Sequence, residues 1–329
     1  MAPYEGRRVV VTGGAGFIGS HLVEELVSQN PASIIVIDDL STGSLDNLTG
    51  VAPEIETVEG DVCDPSVATL ASDADVLFHL AVRNVRASIK LPVDNFQVNA
   101  NGTLALLEAM RRGSGGSFVY VSSSEVYGVP AAGTFSESSL PAPTTIYGAG
   151  KLAGELVTLA YHKTYGMDTR VIRPFNNFGP RSHLEGDSGE VIPKFIVRAL
   201  LGEPLLIHGE GNQTRDFMYV TDTATWLSKL ATDDRLSGMT LNIGSGAETR
   251  IIDLAEMVLS LTGSTSEIVK GEPRPADLPQ LLADTTLVES MFPFCLAVDL
   301  ETGLRQTIDS FAEEDLRALL EQEVEATWI

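Results

Sequence analysis

Cysteine is scarce in this chain, basic residues are far fewer than acidic ones, and no long apolar run occurs. Each shortage excludes something. The two cysteines, Cys63 and Cys295, stand far apart and in no metal or redox spacing. Such a chain builds no disulfide framework and no zinc site of the usual type, and it suits a reducing compartment. Lysine and arginine number 22 against 45 aspartates and glutamates, a formal net charge of −23. A broad basic face for a phosphate backbone is thereby excluded, and nucleic acid with it. A small anionic ligand would have to be gripped by a few locally placed arginines. No apolar run approaches the ~18 residues of a membrane-spanning helix. The opening MAPYEGRR runs into the first strand with no charged-then-apolar leader. The expectation is a soluble, cytoplasmic protein with no membrane partner and no metal.

What is present is enough apolar residue for a sizeable core: 43% of the chain is hydrophobic and 20% charged. The stretch Val9–Leu22, VVVTGGAGFIGSHL, organises the rest. A β-branched run meets a glycine-rich turn, and the turn opens an apolar-periodic helix. Gly13, Gly16 and Gly19 are spaced GxxGxxG, and Gly14, Gly16 and Gly19 also satisfy GxGxxG. Glycine here serves a tight turn, close approach of backbone to a pyrophosphate, and close helix–strand packing. The phosphates would lie on free N–H groups at the helix N-terminus.

Strands are expected at Val9–Val11, Ser33–Ile37, Thr57–Glu59, Val76–Leu80, Phe118–Ser122 and Thr169–Arg173. Helices alternate with them, including long ones from Val93 to Arg112 and from Tyr147 to Tyr165. This alternation predicts an α/β fold: a doubly wound parallel sheet of Rossmann type over residues 1–175, with helices on both faces. After Pro174 the alternation breaks down. A smaller, mostly C-terminal α/β lobe is expected over 176–212 and 246–329. A segment near 213–245, with a strand at Leu241–Ile243, would return to the main sheet. The tail Phe311–Val324 reads as an acidic amphipathic helix, and Ser182–Gly189 as a polar, mobile loop.

Three further features carry chemistry. Asp38 ends the second strand, 19 residues after Gly19. An acid there can accept both ribose hydroxyls of an adenosine and repels a 2′-phosphate, by about 1–4 kcal/mol per charge pair at ~4 Å. No arginine follows in Asp39–Gly43 to offset it, so NAD is favoured over NADP. In YGAGK, Tyr147 and Lys151 are four apart and share a face if the helix begins there. An ammonium near a phenol stabilises the phenolate, and such a tyrosine can act as a general base. In SSSEVYG, the hydroxyls of Ser122 to Ser124 stand at the C-terminal end of the fifth strand, where ligands bind in open α/β sheets.

TGGAGFIGSHL, Asp38, Gly60-Asp61-Val62, HLA at 79–81, SSSEVYG and YGAGK occur in one order at sensible intervals. In that combination, over nearly the whole chain, the sequence resembles the extended short-chain dehydrogenase/reductase family. Those are the NAD-dependent sugar-nucleotide epimerases, dehydratases and decarboxylases. The resemblance implies NAD against Gly13, Gly16, Phe17, Ile18 and Gly19, with Asp38 on the ribose and Asp61 and Val62 on the adenine. Leu80, Ala81 and Asn99 would line the cofactor further in, and Tyr147 and Lys151 would touch it. Ser123, Tyr147 and Lys151 match the catalytic group, and Ser123 and Ser124 would meet the sugar. RPFNNFGPR places Asn176 on the sugar-nucleotide diphosphate, with Arg181 beside the substrate. QTRDF places Arg215 there too, and RPADLP adds Arg274, with Asp277 on the nucleotide ribose. The family also implies a homodimer through a four-helix bundle built from the two long helices.

The implied reaction begins with oxidation at sugar C4, and the subfamilies then diverge. Dehydratases resembling this chain carry Asp-Glu where it has Ser124-Glu125, so the acid for a leaving hydroxyl is missing. Ser-Glu resembles the UDP-glucuronate decarboxylases, while many 4-epimerases have small or hydroxyl residues at both positions. Glu125 is either a base at C5 or a hydrogen-bond partner of sugar or backbone. A hexuronate substrate would need a cation for its carboxylate, from Arg181, His183, Arg83 or Arg86. The expectation is a 4-epimerase acting on a UDP-hexose or UDP-hexuronate such as UDP-glucuronate. A UDP-glucuronate decarboxylase is the alternative, and an NDP-glucose 4,6-dehydratase or a non-catalytic NAD scaffold is further off. No signal for a second substrate of net oxidation is visible, so NAD is expected to stay bound.

Overall fold

Seven β-rich runs become one parallel sheet in the computed structural model, which describes residues 3–113, 115–128, 133–184, 190–273 and 279–321. They are β1 (Arg8–Thr12), β2 (Ser33–Asp38), β3 (Glu56–Glu59), β4 (Val76–His79), β5 (Ser117–Val121), β6 (Thr169–Pro174) and β7 (Thr240–Ile243). The spatial order is β7-β6-β5-β4-β1-β2-β3, and every pairing is parallel. β4, β5 and β6 are buried along their whole length, which is why they read as unbroken apolar runs rather than as alternation. β3 (ETVE) is largely exposed and takes the polar edge. The chain builds outward from β1 to β3, then jumps back to place β4 on the other side of β1. That reversal opens a crevice at the carboxyl ends of β1 and β4, the place where such sheets bind ligands.

The flanking helices of this unit are α1 (Phe17–Val27), α2 (Pro65–Leu70), α3 (Ala87–Lys90), α4 (Pro92–Phe96), α5 (Thr103–Arg112) and α6 (Ile146–Tyr165). Leu106, Leu107 and Met110 of α5 pack with Val10, Leu77, Phe118 and Tyr120 in one core. The long helix expected from Val93 to Arg112 is not continuous. A π-helical segment, Gln97–Gly102, joins α4 to α5. The widened turn holds Asn99, 1% exposed, with its amide on the backbone of Arg83. A local insertion of this kind leaves the apolar period on either side intact, so the sequence pattern does not register it. Among the described residues, nine of the eleven exposed large apolar side chains lie between Ile89 and Tyr165, all but Leu140 on or beside α3–α6.

A second compact unit takes a stretch ending at Ser139, then Phe175–Asp222 and the chain from Gly244 onward. The segment that returns to the main sheet therefore starts at Thr223, not near 213, and ends at Ile243. The second unit has its own core, with Phe178, Phe195, Ile196, Leu205, Leu254 and Leu304. Its strands are short. Asn176–Phe178 pairs with Phe217–Tyr219, and Thr214–Arg215 lies between Thr249–Arg250 and Gln280–Ala283. The tail helix is placed differently from expectation. A helix runs from Leu300 to Ala312, stops, and a short one follows at Leu316–Glu321. The remainder of the expected 311–324 helix lies outside the described residues, as do residues 185–189 of the polar loop. No helix among the described residues is long and apolar enough to cross a membrane.

Candidate active site

The glycine loop lies on the crevice between β1 and β4. Gly13 has φ +71°, and a Cβ there would stand 2.6 Å from Ala81 N. Any side chain would force the loop away from the end of β4, so Leu80 and Ala81 lie directly against it. At Gly19 a side chain would run into the Gly13 carbonyl, so the first turn of α1 crosses the loop only because position 19 is bare. No side chain caps the N-terminus of α1, and no acidic residue sits in its first turn. The N–H groups of Phe17, Ile18 and Gly19 and the positive end of the helix dipole are thus available to an anion.

Asp38 stands beside this loop and is 8% exposed. Its carboxylate accepts from Ala15 N and Leu40 N, both at 2.9 Å. Burial pushes its pKa up, and those two hydrogen bonds oppose the rise. A carboxylate offers roughly four acceptor sites, so lone pairs remain for ribose hydroxyls. Asp61 turns onto Cys63 N at 2.8 Å, and Val62 is buried against Gly102. An uncapped helix start, a backbone that only glycine permits and a buried carboxylate fit a dinucleotide without a 2′-phosphate. Asn99 is placed less directly than expected. Its amide is committed to Arg83 N, Arg83 O and Asn95 Oδ1, so it shapes the loop after β4.

The second group of residues gathers at the end of β5, two strands from β1. Ser123 caps a single 3₁₀ turn, its hydroxyl accepting from Glu125 N at 3.2 Å. Ser124 is buried behind it. Thr145 caps α6 through Gly148 N, which fixes the helix start at Ile146, one residue before Tyr147. Tyr147 and Lys151 then follow one turn apart, as the spacing demands. Lys151 is 3% exposed, and its ammonium donates to Val121 O at 2.5 Å and stands 4.6 Å from the Tyr120 ring centre. Burial pushes the Lys151 pKa down to about 7, opposed by the charge of Glu155. Tyr147 is pushed up to about 12 by desolvation, pulled back by its hydrogen bond with Ser123 and raised further by the charge of Glu125. This is a phenol whose proton responds to its immediate neighbours, the requirement for a tunable acid–base group.

Beneath the site lies a network that sequence reasoning did not identify. Arg173 at the end of β6 makes a two-pronged pair with Glu155 of α6, Nε to Oε1 at 2.8 Å and Nη2 to Oε2 at 2.5 Å. Its Nη1 donates to the Tyr127 hydroxyl at 2.9 Å, which donates to Asn242 Oδ1 at 2.6 Å. The signal was available: Glu155 follows Lys151 by four residues, on the same inward face. His79 is also buried, held neutral between Thr12 Oγ1 and Thr103 Oγ1 at 2.7 and 3.0 Å, its pKa pushed down to about 3 by burial and by Lys151.

In the second unit, Asn176 opens the short strand that pairs with Phe217–Tyr219, and Arg215 ends the strand just before Phe217 in the chain. Asn176 Nδ2 donates to Asp216 O at 3.0 Å, and Arg215 Nη1 to Thr214 O at 2.8 Å. Asp216, next to Arg215 in the chain, is fully buried and accepts from Ser245, Gly246 and Ala283 backbone N–H groups. Arg181 adopts φ +66°, a conformation uncommon outside glycine and often kept where a side chain must be aimed. Arg274 and Asp277 lie outside the described residues. Arg83, weighed above as a carboxylate binder, is instead held by Asp39 and Asp94.

Residues 9–244 match the family model described as the NAD dependent epimerase/dehydratase family. UDP-glucuronic acid decarboxylase 6 of Arabidopsis thaliana is 36% identical over 321 residues, covering 95% of this chain and 90% of its own length. The solved structure of an epimerase from Methanothermobacter thermautotrophicus superposes with a TM-score of 0.90 at 32% identity, covering 97% of this chain and 95% of that one. A dTDP-glucose 4,6-dehydratase from Streptomyces venezuelae, solved with NAD bound, gives 0.87 at 32% identity, with 93% and 97% covered.

Proposed function

This chain belongs to the NAD-dependent epimerase/dehydratase family of extended short-chain dehydrogenases/reductases, and from that premise we propose that it is a nucleotide-sugar 4-epimerase acting on a UDP-hexose or UDP-hexuronate. NAD, held by the glycine loop and Asp38, would supply the hydride acceptor and donor that a net redox-neutral reaction needs. Tyr147 takes the proton of the sugar 4-hydroxyl and gives it back after the keto-sugar has turned over. Ser123 holds the same oxygen, and Lys151 stabilises the phenolate. Asn176, Arg215 and Arg274 hold the diphosphate, with charge-assisted bonds that a chain of net charge −23 must localise.

The observation that carries the reading is Ser124. It is 5% exposed, and it stands where the dehydratase-like pattern has its acid. With no carboxyl group there, a hydroxyl at sugar C6 has no evident proton donor. Glu125 supports a second reading, loss of carbon dioxide from a 4-keto-hexuronate, since the Ser-Glu pair and the decarboxylase relative agree. Incubation with UDP-glucose, UDP-N-acetylglucosamine and UDP-glucuronate, followed by NMR, separates them. A 4-epimer is the expected product. A UDP-pentose with carbon dioxide would replace this reading by the second, and a 4-keto-6-deoxy sugar would sink both.

Glu125→Gln provides a pH test of the site. The charge of Glu125 raises the Tyr147 pKa, because it disfavours the phenolate. Removing that charge lowers the pKa, so the acid limb of the kcat/KM profile should move to lower pH. A limb that stays in place or moves upward would show that Glu125 does not act on the tyrosine.

A further inference from the structure

Arg83 spans the crevice that holds the glycine loop. The chain leaves β4 through Leu80 and Ala81, which lie against Gly13 on one side of the loop. It leaves β2 through a turn packed against the other side: Ala15 N donates to Asp38, and Ala15 O accepts from Ser44 N at 3.0 Å and Asn47 Nδ2 at 2.9 Å. β1 lies between β4 and β2 in the sheet. Across its end, Arg83 Nη2 reaches Asp39 at 2.7 Å and Nη1 reaches Ser41 Oγ at 2.5 Å, while Nε is held by Asp94 at 3.1 Å. One guanidinium therefore ties the loop after β4 to the loop after β2.

Both ends of this strap are held in place. Arg83 N donates to Asn99 Oδ1 at 2.9 Å, and Arg83 O accepts from Asn95 and Asn99, each at 3.0 Å. Opposite, Leu40 adopts φ +56°, a conformation a leucine rarely takes. Its N–H closes onto Asp38, between the two residues that Arg83 engages. An isolated exposed ion pair contributes little. Arg83 is 20% exposed, its guanidinium is shared among three acceptors and its backbone is fixed.

We propose that Arg83 is a latch that closes over the NAD diphosphate and slows its release, making the cofactor a resident group. The inference rests on NAD occupying the β1 crevice, as proposed above. Opening the latch needs only rotation of one side chain, so it acts on the dissociation rate. The test is release of isotopically labelled NAD from the loaded protein into excess unlabelled NAD. Arg83→Met is expected to release it about five- to tenfold faster, and Asp39→Asn by a smaller factor, since Ser41 and Asp94 remain. The double variant should be no faster than Arg83→Met. Added salt should speed release from the unaltered protein and leave the double variant unchanged. Wild-type release from Arg83→Met, or effects that multiply in the double variant, would overturn the latch. Asp38→Ala separates the two layers. If it loses NAD while Arg83→Met releases normally, only the latch falls; if it keeps NAD, the placement of the cofactor falls and the latch with it.

Discussion

Tyr147→Phe should reduce turnover by about 10²–10⁴-fold, the range expected when a positioned general base is removed, while the purified protein retains its NAD. The substitution deletes one oxygen. It leaves the ring, the Thr145 cap and the start of α6 unchanged. The glycine loop, the uncapped start of α1 and Asp38 lie at the ends of β1 and β2, and none depends on that hydroxyl. Loss of chemistry and retention of cofactor are therefore separable here. The measurement pairs a turnover assay with NAD released on denaturation. Turnover near the unaltered rate would remove Tyr147 from the mechanism. Loss of both together would mean that the phenol mainly holds the cofactor.

The same separation shows what the sequence disclosed and what it withheld. Local motifs were legible because each one is a short run doing its work on neighbouring backbone. The glycine turn, the acid ending β2 and the Tyr–Lys spacing all came through with their elements, since turn, strand and helix are set within about ten residues of chain. The parallel pairing also followed, because fully buried strands leave unbroken apolar runs such as SIIVI and VLFH. What was not legible depends on residues brought together from far apart. Arg83 meets Asp39 across β1, and Arg173 meets Glu155 across the layer between β6 and α6. Either arginine, read alone, is a surface charge. The π segment at Gln97–Gly102 was hidden for a different reason: one widened turn does not disturb the apolar spacing around it. The return of the chain to the sheet was legible through Leu241–Ile243, but its start was misjudged. Thr214–Arg215 and Phe217–Tyr219 are short strands that could pair with either sheet, and only tertiary pairing assigns them to the second unit.

Arg173→Met should destabilise the protein by about 3–5 kcal/mol, the usual cost of leaving a buried charge without its partner. Glu155 is 1% exposed and Arg173 5%, so neither can turn to water. In the folded protein the guanidinium fills both carboxylate oxygens and the Tyr127 hydroxyl at once, and it lies 4.8 Å from the Tyr127 ring centre. With methionine in its place the volume is nearly kept, but the carboxylate loses both donors. Lys151, one turn away on the same helix, feels the charge of Glu155, but its ammonium is already committed to Val121 O. The double variant Arg173→Met with Glu155→Leu should recover most of the loss, because a well-packed apolar pair can replace a buried ion pair at little cost. Urea midpoints of the three proteins decide it. A single variant as stable as the parent, or a double variant no better than the single, would show that the pair does not anchor α6. If the recovery is found, turnover of the double variant becomes informative in its own right. α6 would again be packed on β6, with Tyr147 and Lys151 where they were, but without the carboxylate that counters the desolvation of Lys151. The lysine would then lose its proton more readily, and activity should fall at a lower pH than in the parent as pH is raised, because the ammonium that supports the phenolate is the form being titrated away.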